Sequence, residues 1–123
     1  MTRVVLPVLP PLGKIVARVK LDEVKEKGTV RLDYPPFDVL VAYVDGQVFA
    51  IEDACNHAGA SLCDGWREGD CVVCPMHAYM FDLRTGKLVA PEGLCDDQRP
   101  FRATLEGDDI VVWDPIEIVL GGV

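Results

Sequence analysis

Asp45-Gly46 stands between two runs, DVLVAYV and QVFAIE, and this arrangement restricts the possible folds more than any other stretch of the chain. An Asp-Gly pair readily supplies the positive φ angles of a two-residue primed turn, so the flanking runs are expected to pair as an antiparallel hairpin. Both faces of the first arm are apolar, which places it inside a sheet rather than at a rim. Helices do not compete, because no segment sustains a long 3.6-residue apolar period.

Other strands read around that hairpin. KIVARVKL alternates, with Ile15, Ala17, Val19 and Leu21 on one face and Lys14, Arg18 and Lys20 mostly on the other, as in a half-buried strand. DEVKEKG follows as a short helical turn, capped by Asp22, carrying Lys25 and Lys27 near its end and stopped by Gly28. TVRLDY reads as a strand ended by Pro35 and Pro36. CVVC, YMFDL and LVA read as short strands, the last two separated by RTGK, and FRATLEG and IVVW form a closing hairpin around Asp108 and Asp109. The expected fold class is all-β, made of short antiparallel strands, with residues from about 53 to 95 forming a loop-rich insertion between two hairpin-built parts. No internal repeat is present.

A length of 123 residues suits one domain, and half of the residues are apolar, as a globular core requires. Twenty acidic residues against twelve basic ones give a formal charge of −8, which disfavours nucleic acid or an anionic membrane as a partner. The opening MTRVVLPVLPPLGK is broken by Pro7, Pro10 and Pro11 and is not read as an export signal. No run approaches the roughly 20 apolar residues that span a bilayer, so a soluble, cytoplasmic protein, a monomer in isolation, is expected. Five cysteines in such a chain favour metal or redox chemistry over a disulfide framework.

Two of those cysteines stand beside the only two histidines. CNHAGASLCDG and CPMHAYMFD together give C-x-H, sixteen intervening residues, then C-x-x-H: Cys55, His57, Cys74 and His77. Each loop offers one thiolate and one imidazole. Structural zinc sites more often draw cysteines in C-x₂₋₄-C pairs and histidines in H-x₃₋₅-H pairs, although a single zinc ion can take two of each. The mixed loops suit two irons, with the cysteines on one and the histidines on the other.

These residues resemble the Rieske-type [2Fe-2S] proteins. The family pattern C-x-H-x-G-x-x-L-x-x-G is matched at Cys55, His57, Gly59, Leu62 and Gly65, and C-P-x-H-G-x-x-F-D is matched by CPMHAYMFD except at Ala78, where the family has glycine. The likeness extends from Lys14 to Trp113. It implies an antiparallel β-sandwich base with an inserted cluster-binding subdomain, in a single Rieske domain. It also implies one [2Fe-2S] cluster per chain, bound by Cys55, His57, Cys74 and His77. If the site of Ala78 needs positive φ, alanine costs on the order of 1 kcal/mol there and the second loop bends slightly differently.

Branch follows from what is missing. High-potential members of the family join their two loops by a disulfide and place serine and tyrosine hydroxyls near the cluster; the corresponding positions here are Ala60 and Met76, and Tyr79 and Phe81. The expected potential is therefore near the bottom of the range of about −150 to +300 mV. Terminal oxygenases of the family add a mononuclear iron site built from two histidines and a carboxylate, and this chain has no histidine to spare. The resemblance implies an electron carrier and not an enzyme, taking electrons from an NAD(P)H-dependent flavin reductase and passing them to a terminal oxygenase. A small subunit of a larger reductase, such as assimilatory nitrite reductase, is the alternative, and a structural zinc protein a third reading.

Ala58, Gly59, Met76 and Tyr79 are the candidate docking neighbours at the histidine edge. Cys71 is read as a core residue despite its C-x-x-C spacing, Cys63 and Cys95 as a conceivable redox pair, and Trp66 and Trp113 as packing residues rather than electron relays. Glu92, Asp96 and Asp97 form an acidic loop beyond Pro91.

Overall fold

The computed structural model describes residues 13–56 and 59–114. The elements run β1 (Lys14–Lys20), α1 (Leu21–Lys27), β2 (Thr29–Leu32), β3 (Val39–Val44), β4 (Gln47–Glu52), a 3-10 turn (Leu62–Asp64), β5 (Trp66–Glu68), β6 (Cys71–Val73), β7 (Met80–Asp82), β8 (Leu88–Ala90), β9 (Pro100–Glu106) and β10 (Asp109–Asp114). They form a six-stranded sheet in the order β1-β10-β9-β4-β3-β2 and a four-stranded sheet in the order β5-β6-β7-β8. The second sheet lies wholly within the stretch expected to be the insertion, and β5 is a strand that the sequence pattern did not reveal.

The Asp-Gly hairpin forms as expected. Asp45 has φ 49° and Gly46 φ 81°, and the strands it joins pair in unbroken register from Val44 opposite Gln47 to Val39 opposite Glu52. β3 is buried on both faces, and its alternate residues enter different cores. Leu40, Ala42 and Val44 pack with Ile51, Leu62, Val72, Phe81 and Leu83, while Val39 and Val41 pack with Val19, Val24, Ala50, Ile110 and Val112. The second group draws from both ends of the six-stranded order, so that sheet curls into the two layers of a sandwich. β9 passes between the layers, pairing with β4 at Pro100 and Phe101 and with β10 from Arg102 to Glu106.

Two local expectations are corrected. In β1 the register shifts between Ile15 and Ala17, so Val16 turns toward the core and Ile15 is left 45% exposed; an unpaired bulge residue reverses the alternation at that end. Asp22 does not cap α1. The helix already begins at Leu21, whose N–H donates to the carbonyl of Asp108 at 2.9 Å, so Asp22 and Glu23 lie inside the first turn, where their charge suits the helix dipole. Gly28 does stop the helix, at φ 87°, donating its N–H to Val24 O at 2.7 Å.

Candidate metal centre

Residues 53–65 join β4 to β5, and residues 74–79 join β6 to β7. The two loops close in the same way. In the first, Cys55 N–H donates to Ala60 O at 2.8 Å and Gly59 N–H returns to Cys55 O at 2.7 Å; in the second, Cys74 N–H donates to Tyr79 O at 2.8 Å and Ala78 N–H returns to Cys74 O at 3.0 Å. The fourth residue after each cysteine is left-handed, with φ 74° at Gly59 and 61° at Ala78. The second loop is thus not bent away from the first by its alanine. Ala78 adopts the conformation that glycine would take, at a strain of about 1 kcal/mol, because the register around Cys74 over-determines it.

Loop one is clamped at its base by Asp53, 2% exposed, whose carboxylate accepts Ser61 Oγ–H at 2.6 Å and Cys63 N–H at 3.0 Å. The Asp53 carbonyl accepts Leu62 N–H at 2.9 Å, and Ala54 bridges to Ser61. From the other side the β2–β3 connection supports the same stretch, with Asp53 N–H donating to Asp38 O and Ala54 N–H to Phe37 O, both at 3.0 Å. Gly65 brings the loops together. A Cβ there would fall 1.8 Å from Val73 O and 3.2 Å from Pro75 Cδ, so only glycine lets the end of loop one rest on the backbone that leads into Cys74.

The structure gathers both cysteines into one buried cluster. Cys55 is 3% exposed and Cys74 0%, alongside Leu62, Phe81 and Leu83. His77 is exposed at the tip of loop two, and His57 lies outside the described residues. Among the described residues no three histidine, cysteine or acidic side chains converge on one point, and a ligand set divided two and two over a pair of irons does not need them to. The residues present fit a [2Fe-2S] group: two buried thiols outside any disulfide in twin loops, with the described imidazole farther out, are the donor types that such a group takes.

The remaining cysteines stand outside the two Cys-His pairs. Cys71 opens β6, opposite Asp82 in the ladder, and burial followed by the charges of Asp82, Asp70 and Glu68 pushes its thiol up. Burial, then Asp53, pushes the Cys63 thiol up strongly. Cys95 donates to Asp96 O at 3.4 Å, and its thiol is pushed up by burial, by Asp96 and Asp97, and by Cys74 nearby. Cys63 thus faces Asp53 while Cys95 sits by Cys74; both are free, and neither carries the lowered pKa of a reactive thiol.

Of the docking candidates, Gly59 and Met76 are exposed and Tyr79 is half-buried, while Ala58 lies outside the described residues. Trp66 is not a packing residue: it is 47% exposed and donates Nε1–H to Glu68 at 2.8 Å. Trp113 is half-buried and bonded to Thr104. Asp53, Phe37 and Gln98 support the site, and sequence reasoning did not find them, since no spacing marks a residue that acts through another loop.

Comparison with known proteins agrees with this geometry. The chain is 41% identical over 83 residues to the ferredoxin component of biphenyl 2,3-dioxygenase from Rhodococcus jostii strain RHA1, covering 68% of this chain and 77% of that protein. Among solved structures it is similar to the ferredoxin of carbazole 1,9a-dioxygenase from Nocardioides aromaticivorans IC177, with a TM-score of 0.72 and 28% identity over 82% of this chain and 98% of that one. It also matches a chain in a complex of reduced oxygenase and oxidized ferredoxin in carbazole 1,9a-dioxygenase, with a TM-score of 0.69 and 25% identity over 78% of this chain and 92% of that one. The family model described as the Rieske [2Fe-2S] domain matches residues 14–94, and the chain belongs to that family.

Proposed function

We propose that this protein is the ferredoxin of a multicomponent dioxygenase system, a Rieske domain that takes single electrons from an NAD(P)H-dependent flavin reductase and delivers them to a terminal oxygenase. The observation that carries the reading is the pair of twin loops, each presenting a buried thiol, Cys55 or Cys74, with a histidine two or three residues further on. Cys55 and Cys74 would hold one iron, His57 and His77 the other. When bound, the group stores one electron. The protein's part is to bury the thiolate side, keep an imidazole side at the surface, and hold both loops rigid so that little reorganises when charge arrives.

The surroundings support a soluble carrier of low potential working in the cytosol, where NAD(P)H is available. Ala60 and Met76 supply no disulfide between the loops, and Phe81, fully buried, supplies no hydroxyl. Met76, 59% exposed, and Leu94, 64% exposed, offer apolar surface, and the exposed Glu92, Asp96 and Asp97 surround Leu94 with negative charge. Cys95, next to Leu94, packs against the buried cluster that contains Cys55 and Cys74, so this acidic loop lies beside the proposed centre. A partner with an apolar depression rimmed by lysine and arginine would match it. Among the described residues no helix is long and apolar enough to cross a membrane.

Iron and acid-labile sulfide analysis with EPR of the reduced protein tests the cofactor; two irons and two sulfides per chain with a [2Fe-2S] signal are expected. Stopped-flow reduction by a purified flavin reductase, then oxidation by a terminal oxygenase, tests the role. A protein that binds zinc alone after reconstitution, or a midpoint clearly above zero, would contradict the reading.

A further inference from the structure

Gln98 is 1% exposed, and four hydrogen bonds use up its side chain. Nε2–H donates to the carbonyls of Glu52 at 2.9 Å and Ala54 at 2.7 Å, while Oε1 accepts Asn56 N–H at 2.8 Å and Asn56 Nδ2–H at 2.8 Å. A primary amide has two donors and two acceptor lone pairs, so nothing is left over. Its partners are residues 52, 54 and 56, alternate positions along the extended stretch that leaves β4 and passes through Cys55. The side chain thus bonds that stretch at alternate residues, as a neighbouring strand would.

The same segment is tied to the other half of the site. Gln98 N–H donates to Gly86 O at 2.7 Å, and a Cβ at Gly86 would fall 2.2 Å from Gln98 O. Asp97 Oδ1 accepts Leu88 N–H at 2.8 Å, and the Asp97 carbonyl accepts Asn56 Nδ2–H at 2.9 Å. Gly86 and Leu88 belong to the β7–β8 hairpin, in the sheet from which loop two projects. Residues 97 and 98 therefore cross-tie loop one to the sheet that carries loop two.

We infer that Gln98 is a positioning residue of the metal centre, fixing the path of the chain on both sides of Cys55 relative to Cys74 and His77. This rests on the ligand assignment proposed above. Metal–ligand distances tolerate only a few tenths of an ångström, and an amide bonded to residues 54 and 56 holds Cys55 between two fixed points. A glutamine whose only task was to fill the core would move global stability and leave the electronic signature of the centre alone.

The test uses the reconstituted full chain, with Q98M, which keeps length and loses all four bonds, and N56A, an exposed position whose loss removes the side-chain bonds to Gln98 Oε1, Asp97 O and Glu52 Oε1 but keeps the backbone bond from Asn56 N–H to Gln98. Readouts are the EPR g values and linewidth of the reduced protein, the midpoint potential, and the rate of iron loss to a chelator, each set beside far-UV circular dichroism. The expected result is unchanged circular dichroism with shifted or broadened EPR, a shifted midpoint, and iron loss about tenfold faster in Q98M and several-fold faster in N56A. If Q98M does not fold, N56A decides alone. Wild-type EPR and iron-loss rates in the folded variants would overturn the role of Gln98 while leaving the ligand assignment standing. A wild-type chain that gives no [2Fe-2S] signal would overturn the ligand assignment and this inference with it.

Discussion

Gly65 approaches Val73 so closely that a Cβ on the glycine would lie 1.8 Å from the valine carbonyl oxygen. Neither partner can yield, because both are backbone. G65A is expected to lose at least about 2 kcal/mol in urea unfolding and to fall in iron content, since overpacking acts where the loops meet. Gly69 is the control. It has φ +62°, but a Cβ there would meet nothing within 4 Å, so G69A should cost only about 1 kcal/mol of backbone strain and keep its iron.

Ala78 carries the opposite expectation. Its φ of 61° is one that glycine adopts freely, so A78G should stabilise the protein by about 0.5–1 kcal/mol despite the extra freedom of the unfolded chain. Because the loop already has the register of its twin, the EPR spectrum should not change. A destabilised variant would show that the methyl group makes a contact worth more than the strain.

The Cys63 thiol gives the alkaline limb of stability a specific source. Its pKa is raised above the ordinary 9.0 by burial and then by Asp53, so the native state keeps a proton that the unfolded chain gives up. The contribution is present in full below that value and is lost as pH rises above it, because the unfolded chain then binds fewer protons. C63A removes the linkage. Urea midpoints measured at about pH 8 and about pH 10 should show a smaller alkaline loss in C63A than in wild type; equal losses would assign the limb to other groups.

Asp114, 5% exposed at the end of β10, accepts Arg99 Nη1–H at 3.0 Å and the hydroxyl of Tyr34. D114N weakens the charged arm and is expected to cost about 1–3 kcal/mol by thermal or urea unfolding. The pair sits beside Phe101, in the core that does not contain the cysteines, so the variant should keep wild-type EPR and iron at ambient temperature.

Transfer to an oxygenase should weaken with salt. The acidic loop is exposed, and charge steering between exposed groups fades over a Debye length of about 10 Å at 0.1 M salt. E92Q/D96N should raise the ferredoxin concentration needed for half-maximal oxygenase turnover several-fold and flatten its salt dependence, with turnover at saturation unchanged. Asp97 is left intact because it bonds the Leu88 backbone.

The sequence reading and the structure diverge along a physical line. The β3–β4 hairpin was legible because its turn chemistry and apolar pattern are local, and the twin loops because the chemistry needs rare residue types at fixed spacing. The β1 bulge at Ile15 was hidden because it depends on how β10 pairs, and the start of α1 because the Asp108 carbonyl, far along the chain, supplies what a capping side chain would. β5 has three residues, WRE, with no alternation to read, and is set by pairing with β6. Asp53 and Gln98 look like ordinary loop residues until the fold shows what they face.

β3 is a party wall. Leu40, Ala42 and Val44 furnish the room that holds Cys55 and Cys74, while Val39 and Val41 furnish the room behind it. Neither room can be emptied while the wall stands, and neither stays upright once it falls. Bleaching of the iron chromophore on heating and collapse of the sandwich should therefore be a single event, so the colour of the protein is a gauge of its whole architecture.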